Sequence, residues 1–147
     1  MGMLDSECVL ASAEAATDHT TDTATTNIYD SGSANASDLS MTGENLWIVA
    51  KVNTLATSGG SATIQAVLQD SADNVTYADA LAGPVTAVAA ATVGAILLVS
   101  PLPVGLRRYT RVVWRIGTAD LTAGKFDAYY TNTIPRNIAR PSGFSVS

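Results

Sequence analysis

Arg107, Tyr109, Arg111, Val113 and Arg115 recur at every second position of RRYTRVVWRIG, residues 107–117. Alternation places them on one face of a β-strand, and Thr110, Val112, Trp114 and Ile116 on the other. The second set is an ordinary core face. The first carries guanidinium groups, planar forks of N–H donors suited to carboxylates and phosphates. After residue 100 there are six Arg against one Lys, which favours bidentate recognition over simple solubility. Arg and Tyr are also enriched where proteins meet. Two readings stay open. Either Arg107, Arg111 and Arg115 lie on a solvated sheet face and pair with acids from the first fifty residues, or they form a protein contact surface. Arg136, Arg140 and Phe144 of the C-terminal stretch join Arg107, Tyr109, Arg111 and Arg115 as contact candidates.

Other residues with reactive side chains give less. His19 is the only histidine and stands in a Thr/Asp-rich stretch. A hydrolytic rival would use His19 with Asp18 or Asp22, but no nucleophile elbow, zinc-protease motif or phosphate-cradling glycine loop accompanies it. Cys8 is the only cysteine, so no internal disulfide forms, and no Cys or His at ligand spacing supports zinc. A small buried hydrophobe is its expected role. Asp70, Asp73 and Asn74 cluster oxygen donors, yet DSADN does not match a calcium loop, and a solvated turn is the default. The sequence therefore predicts no catalytic residue, no cofactor and no metal.

The elements that position these residues are strands. LWIVAKV sets Leu46, Ile48, Ala50 and Val52 against Trp47, Val49 and Lys51. ATIQAVLQ sets Ala62, Ile64, Ala66 and Leu68 against Thr63, Gln65, Val67 and Gln69, the pattern of a half-buried antiparallel strand. VTYADAL reads as a short strand, AILLVSP as a buried one ending at Pro101, and KFDAYYT places Phe126, Ala128 and Tyr130 on one face. Gly117–Gly124 reads as a hairpin between the Arg strand and KFDAYYT. Seven or eight strands with turn signals between them predict an all-β, jelly-roll-like antiparallel β-sandwich. Residues 1–25 read as an arm or edge segment, 26–133 as the sandwich, and 134–147 as an extended C-terminal arm. Fully extended, that arm reaches about 45 Å, against a radius of gyration of about 15 Å for the domain.

The 147 residues carry a net charge of −5, unevenly spread. Residues 1–50 hold eight acids and no Lys or Arg, whereas residues 101–147 hold seven basic groups and two acids. Such asymmetry implies neutralisation within the fold or head-to-tail contacts between copies. A sequence pI near 4.5 argues against nucleic acid as the partner. The longest apolar run, Val85–Val99, is broken by Gly94 and too short to span a bilayer, and the N-terminus shows no signal-peptide pattern. Expected, then, is a chain made in a cytoplasm, with no membrane and no nucleic acid among its partners.

Three segments carry a family resemblance. MLDSECVLASAEAAT (Met3–Thr17), GENLWIVAKV (Gly43–Val52), and PLPVGLRRYTRVVWRIG followed by LTAGKFDAYY (Pro101–Tyr130) resemble the capsid cement proteins of short-tailed bacteriophages. The resemblance implies a non-enzymatic jelly roll that binds the outer surface of an icosahedral head. Such proteins typically act as homodimers and clamp neighbouring copies of the major capsid protein. The implied location is the virion surface, after synthesis in the host cytoplasm. Stabilisation would follow from linkage: a ligand at a hundred times its dissociation constant adds about 2.7 kcal/mol to the state it prefers. A rival of another class is a carbohydrate-binding module on a phage surface, with Trp47, Tyr77, Tyr129 and Tyr130 stacking on sugars.

Overall fold

The structure is a computed structural model, and it describes residues 8–32 and 46–132. Its strands are β1 (Val9–Ala15), β2 (Thr23–Ala24), β3 (Tyr29–Asp30), β4 (Trp47–Thr57), β5 (Thr63–Ser71), β6 (Ala78–Ala82), β7 (Thr86–Ala87), β8 (Ile96–Pro101), β9 (Tyr109–Gly117) and β10 (Ala123–Thr131). One sheet runs β1-β10-β4-β8. In the other, β9 and β5 are central, β2 and β3 share the outer edge of β9, and β6 and β7 share the outer edge of β5. All pairings are antiparallel.

Counting β2 with β3 and β6 with β7 as single positions, the sheets order as first-eighth-third-sixth and second-seventh-fourth-fifth. That order is a jelly roll. The core lies between the sheets, and the alternation read from sequence supplies it. Ile48, Ala50 and Val52 from β4, Ile64, Ala66 and Leu68 from β5, Val112, Trp114 and Ile116 from β9, and Phe126, Ala128 and Tyr130 from β10 are all buried in one cluster. Trp114 and Phe126 meet across it with ring centroids 5.1 Å apart. Thr110 belongs to the same face, and its hydroxyl bonds the Tyr130 hydroxyl at 2.6 Å, which ties β9 to β10 through the core.

One sequence expectation changes. Gly117–Gly124 is not a hairpin: β9 and β10 sit in different sheets, and the segment arches over the core between them. Their inward faces pack against each other, so they cannot share a hydrogen-bond ladder. In the segment read as an arm or edge, β1 (Val9–Ala15) is an edge strand of its sheet, with Leu10, Ala11 and Ala16 buried in the core. Residues 134–147, with Arg136, Arg140 and Phe144, lie outside the described residues.

The strand order divides the connections between two ends. At one, the β1–β2, β4–β5 and β9–β10 connections are clasped together: Leu121 N–H donates to Thr17 O, Ser58 Oγ to Asp120 O, and His19 N–H to an Asp120 carboxylate oxygen. At the other end lie the β5–β6 hairpin and the β8–β9 loop, because Ser71 at the end of β5 pairs with Tyr109 at the start of β9.

Candidate interaction surface

Strand β9 is central to its sheet, so its outward side chains look across at neighbours on both sides. Towards β5, Arg115 stands opposite Gln65, Val113 opposite Val67, and Arg111 opposite Gln69. Val67 and Val113 face outward yet are buried, flanked by rows of long Arg and Gln side chains whose aliphatic stems can cover them. Towards the other edge lie β2 and β3, and these short strands deliver acids. Asp22, just before β2, accepts two bonds from Arg115 Nε at 3.1 Å and one from an Nη at 2.7 Å. Asp30 at the end of β3 accepts from Arg108 at 2.6 and 2.9 Å.

The ladder continues across β5 and β6. The other Nη of Arg115 reaches Asp79 at 3.2 Å, and Asp79 also accepts from the Gln69 amide at 2.8 Å. The Gln69 carbonyl oxygen in turn accepts from Arg111 Nε and Nη at 3.1 and 3.0 Å. The Arg111 guanidinium lies over the Tyr77 ring, 3.7 Å from its centroid. Arg107 reaches Asp70 three times: its backbone N–H and an Nη bond the two carboxylate oxygens, and that Nη also bonds the Asp70 carbonyl.

These contacts set the electrostatics. Gln69 and then Arg115 hold the Asp79 carboxyl below its usual range, against opposing burial. Arg108 does the same for Asp30, helped by the Gly32 N–H. For Asp70 burial pushes the carboxyl up, but the Arg107 bonds together outweigh it and the net shift is downward. Arg115 is itself raised, first by Asp22 and then by Asp79.

The structure thus brings Tyr109, Arg111 and Arg115 to the outward face of β9, whereas Arg107 lies in the loop before the strand and bonds Asp70 there. Pairing with acids of the first fifty residues holds for Arg115, but Arg107 is bound by Asp70, and Arg111 meets no carboxylate among the described residues. Arg108, which alternation did not single out, is the partner of Asp30. Gln69 and Asp79 were missed as well. The signal for Gln69 was its place at the outward positions of ATIQAVLQ; that for Asp79 was only visible once β6 was set beside β5.

The remaining candidates resolve individually. His19 Nδ1 contacts Asp120 at 2.5 Å, whereas Asp22 is engaged by Arg115 and Asp18 accepts from Thr20 and Thr21. Single ligand atoms of Asp18, His19 and Asp120 lie within 4.8 Å of one another, all on exposed residues. In DSADN the oxygens are committed to the chain: Asp73 Oδ1 accepts from Ser71 Oγ and from the Val75 and Thr76 N–H groups. Those backbone bonds hold its carboxyl down at about 2. Of the aromatic residues, Tyr130 is buried in the core, Tyr129 is nearly buried with Lys51 over its ring, and Tyr77 gives one face to Arg111.

A jelly roll whose central strand β9 bears outward arginines fixed by Asp and Gln of neighbouring segments defines the class: a β-sandwich domain with a preset polar face. Residues 10–130 match the Bbp16 family model. The chain belongs to the Bbp16 family, whose name points to phage proteins. No curated protein matches it.

Proposed function

We propose that this protein is a structural component of a phage virion that binds the outer surface of the capsid and clamps neighbouring capsid subunits. The observation that carries the reading is the outer face of β9. On it Arg115 is held by Asp22 and Asp79 and Arg111 by Gln69, and in the loop just before it Arg107 is held by Asp70 and Arg108 by Asp30, so none is left to wander. A docking surface built this way loses little side-chain freedom on binding. Family membership and the resemblance of three chain segments to capsid cement proteins support the same reading. Its partners are the major capsid protein and a second copy of this chain, without nucleic acid or membrane, and no catalytic step is assigned to it.

Binding of this kind strengthens a shell by differential affinity. If the expanded shell is bound more tightly than its precursor or its fragments, each occupied site favours the closed form. Many modest contacts on one lattice then add up without a single strong one. The sugar-binding rival finds less support, because three of the four aromatic residues it needs are buried or already covered.

Co-sedimentation with precursor and expanded heads stripped of this component tests the proposal. Saturable binding to expanded heads and weak binding to precursors is the expected result. No binding to either form defeats it, and a glycan-array signal would then favour the carbohydrate module.

A further inference from the structure

The two most exposed large apolar side chains among the described residues are Val104 at 90% and Val75 at 81%. Both stand at the end of the sandwich opposite the clasped loops. Val75 tops the β5–β6 hairpin, whose tip is fixed by Asp73 and by Asn74 in a left-handed conformation (φ 59°). Val104 tops the β8–β9 loop, which Arg107 anchors to Asp70. Apolar side chains held out on rigid tips lose water, not conformational freedom, when they dock.

Beside the Val75 hairpin lies Arg111. Arg107, Arg108 and Arg115 are each bonded to aspartate, but Arg111 rests on the neutral Gln69 carbonyl and on Tyr77. The Tyr77 hydroxyl donates to Asn74 Oδ1, so the ring under the cation is itself tied to the hairpin tip. Gln69 occupies the Nε side of the guanidinium. The remaining N–H groups of its two Nη atoms have no partner among the described residues, and they form a second edge able to take a carboxylate with two parallel bonds. β10 ends at this side of the molecule too, with Thr131 opposite Trp47 and Trp47 opposite Pro101. From there the chain continues into residues 133–147, which hold Arg136 and Arg140 and no acid.

We infer that this end is the docking end, and that Arg111 takes an Asp or Glu side chain of a partner protein while Val75 and Val104 make apolar contact beside it. The partner surface is therefore a carboxylate set among apolar groups. The inference rests on the capsid-binding reading and names the surface through which that binding occurs.

The test uses the full chain and expanded heads stripped of this component, with bound protein quantified by co-sedimentation. Arg111→Ala, Val75→Asp and Val104→Asp are each expected to weaken binding about tenfold or more, as central interface contacts do. Val93→Asp is the control, since Val93 is 65% exposed but precedes β8 towards the clasped end; it should bind within about twofold of the unaltered protein. Thermal unfolding of each variant checks that the fold is kept, and the two valine variants alter no packed group. Unaltered binding by all three, or loss only in Val93→Asp, overturns the docking end and leaves the capsid reading standing. Failure of the unaltered protein to bind heads defeats that reading, and the docking end with it.

Discussion

Arg107 and Arg115 show how the environment of a partner decides what an ion pair contributes. Arg115 has more contacts, bonding both Asp22 and Asp79, but its side chain is 37% exposed and theirs are 38% and 46%. Water competes for every one of those bonds, and exposed pairs contribute about 0–1 kcal/mol. The Asp70 side chain is only 12% exposed, and both of its carboxylate oxygens depend on Arg107. Removing Arg107 beyond its backbone leaves a nearly buried carboxylate short of a donor, which costs roughly 1–3 kcal/mol. Arg107→Ala is therefore expected to destabilise more than Arg115→Ala, despite having fewer partners. Urea denaturation of the two variants measures the order, and an equal or reversed order would show that Asp70 recruits water readily. The outward position of an arginine could be read from alternation; the burial of its partner could not, because it depends on strands distant in sequence.

At the scale of elements, the second edge of the β5 sheet is broken rather than continuous. β6 stops at Ala82 and β7 starts at Thr86, and Gly83 fills the joint by donating its N–H to Ala66 O at 2.8 Å. A Cβ placed on Gly83 would lie 2.7 Å from the Leu97 carbonyl and 3.1 Å from that of Ala66. Both obstacles are backbone, one in each sheet, so neither can swing aside. Gly83→Ala is expected to cost about 1–3 kcal/mol, the range of overpacked sites, visible as a lower urea midpoint with an unchanged slope. A neutral result would mean that the β6–β7 joint shifts as a unit. The cause of the break, the approach of the two sheets at β8, is not local to Gly83 and Pro84 and so cannot be read from the sequence around them. The same limit explains the misread Gly117–Gly124 connection. Turn-forming residues mark where a strand ends, and nothing local says whether the next strand pairs beside it or faces it across a core. The inward faces of β4, β5, β9 and β10 were legible because burial on one side imposes a period of two. β1 was harder, since its pairing with β10 is interrupted twice and Ala13 adopts φ 49°.

For the whole molecule, jelly-roll order answers the question raised by a chain with acids at its start and arginines near its end. The second and seventh strand positions are neighbours, so β2 and β3 carry Asp22 and Asp30 to the side of β9. At those positions the asymmetry is neutralised within the fold. The consequence is a dependence on carboxylates that hold a proton less readily than usual. Arg108 depresses Asp30, Gln69 and Arg115 depress Asp79, His19 depresses Asp120, and backbone N–H groups bring Asp73 to about 2. Asp70 moves the same way although burial opposes it. A carboxyl with a folded value below its unfolded value of 3.8 contributes stability that is fully present well above 3.8 and is lost as pH falls towards the folded value. Stability is therefore expected to be level from pH 7 to about 5 and to fall steeply between about pH 4 and 2, as these groups take up protons one after another. The check is the urea midpoint measured across that range, with Asp73→Asn as the informative variant. Its amide cannot lose charge, and its carbonyl can still accept from Val75 and Thr76, so it should flatten part of the acid limb while leaving the others to titrate. A midpoint unchanged down to pH 2 would mean that the aspartates keep similar partners when the chain unfolds, and that the lattice on β9 positions side chains without holding the sandwich together.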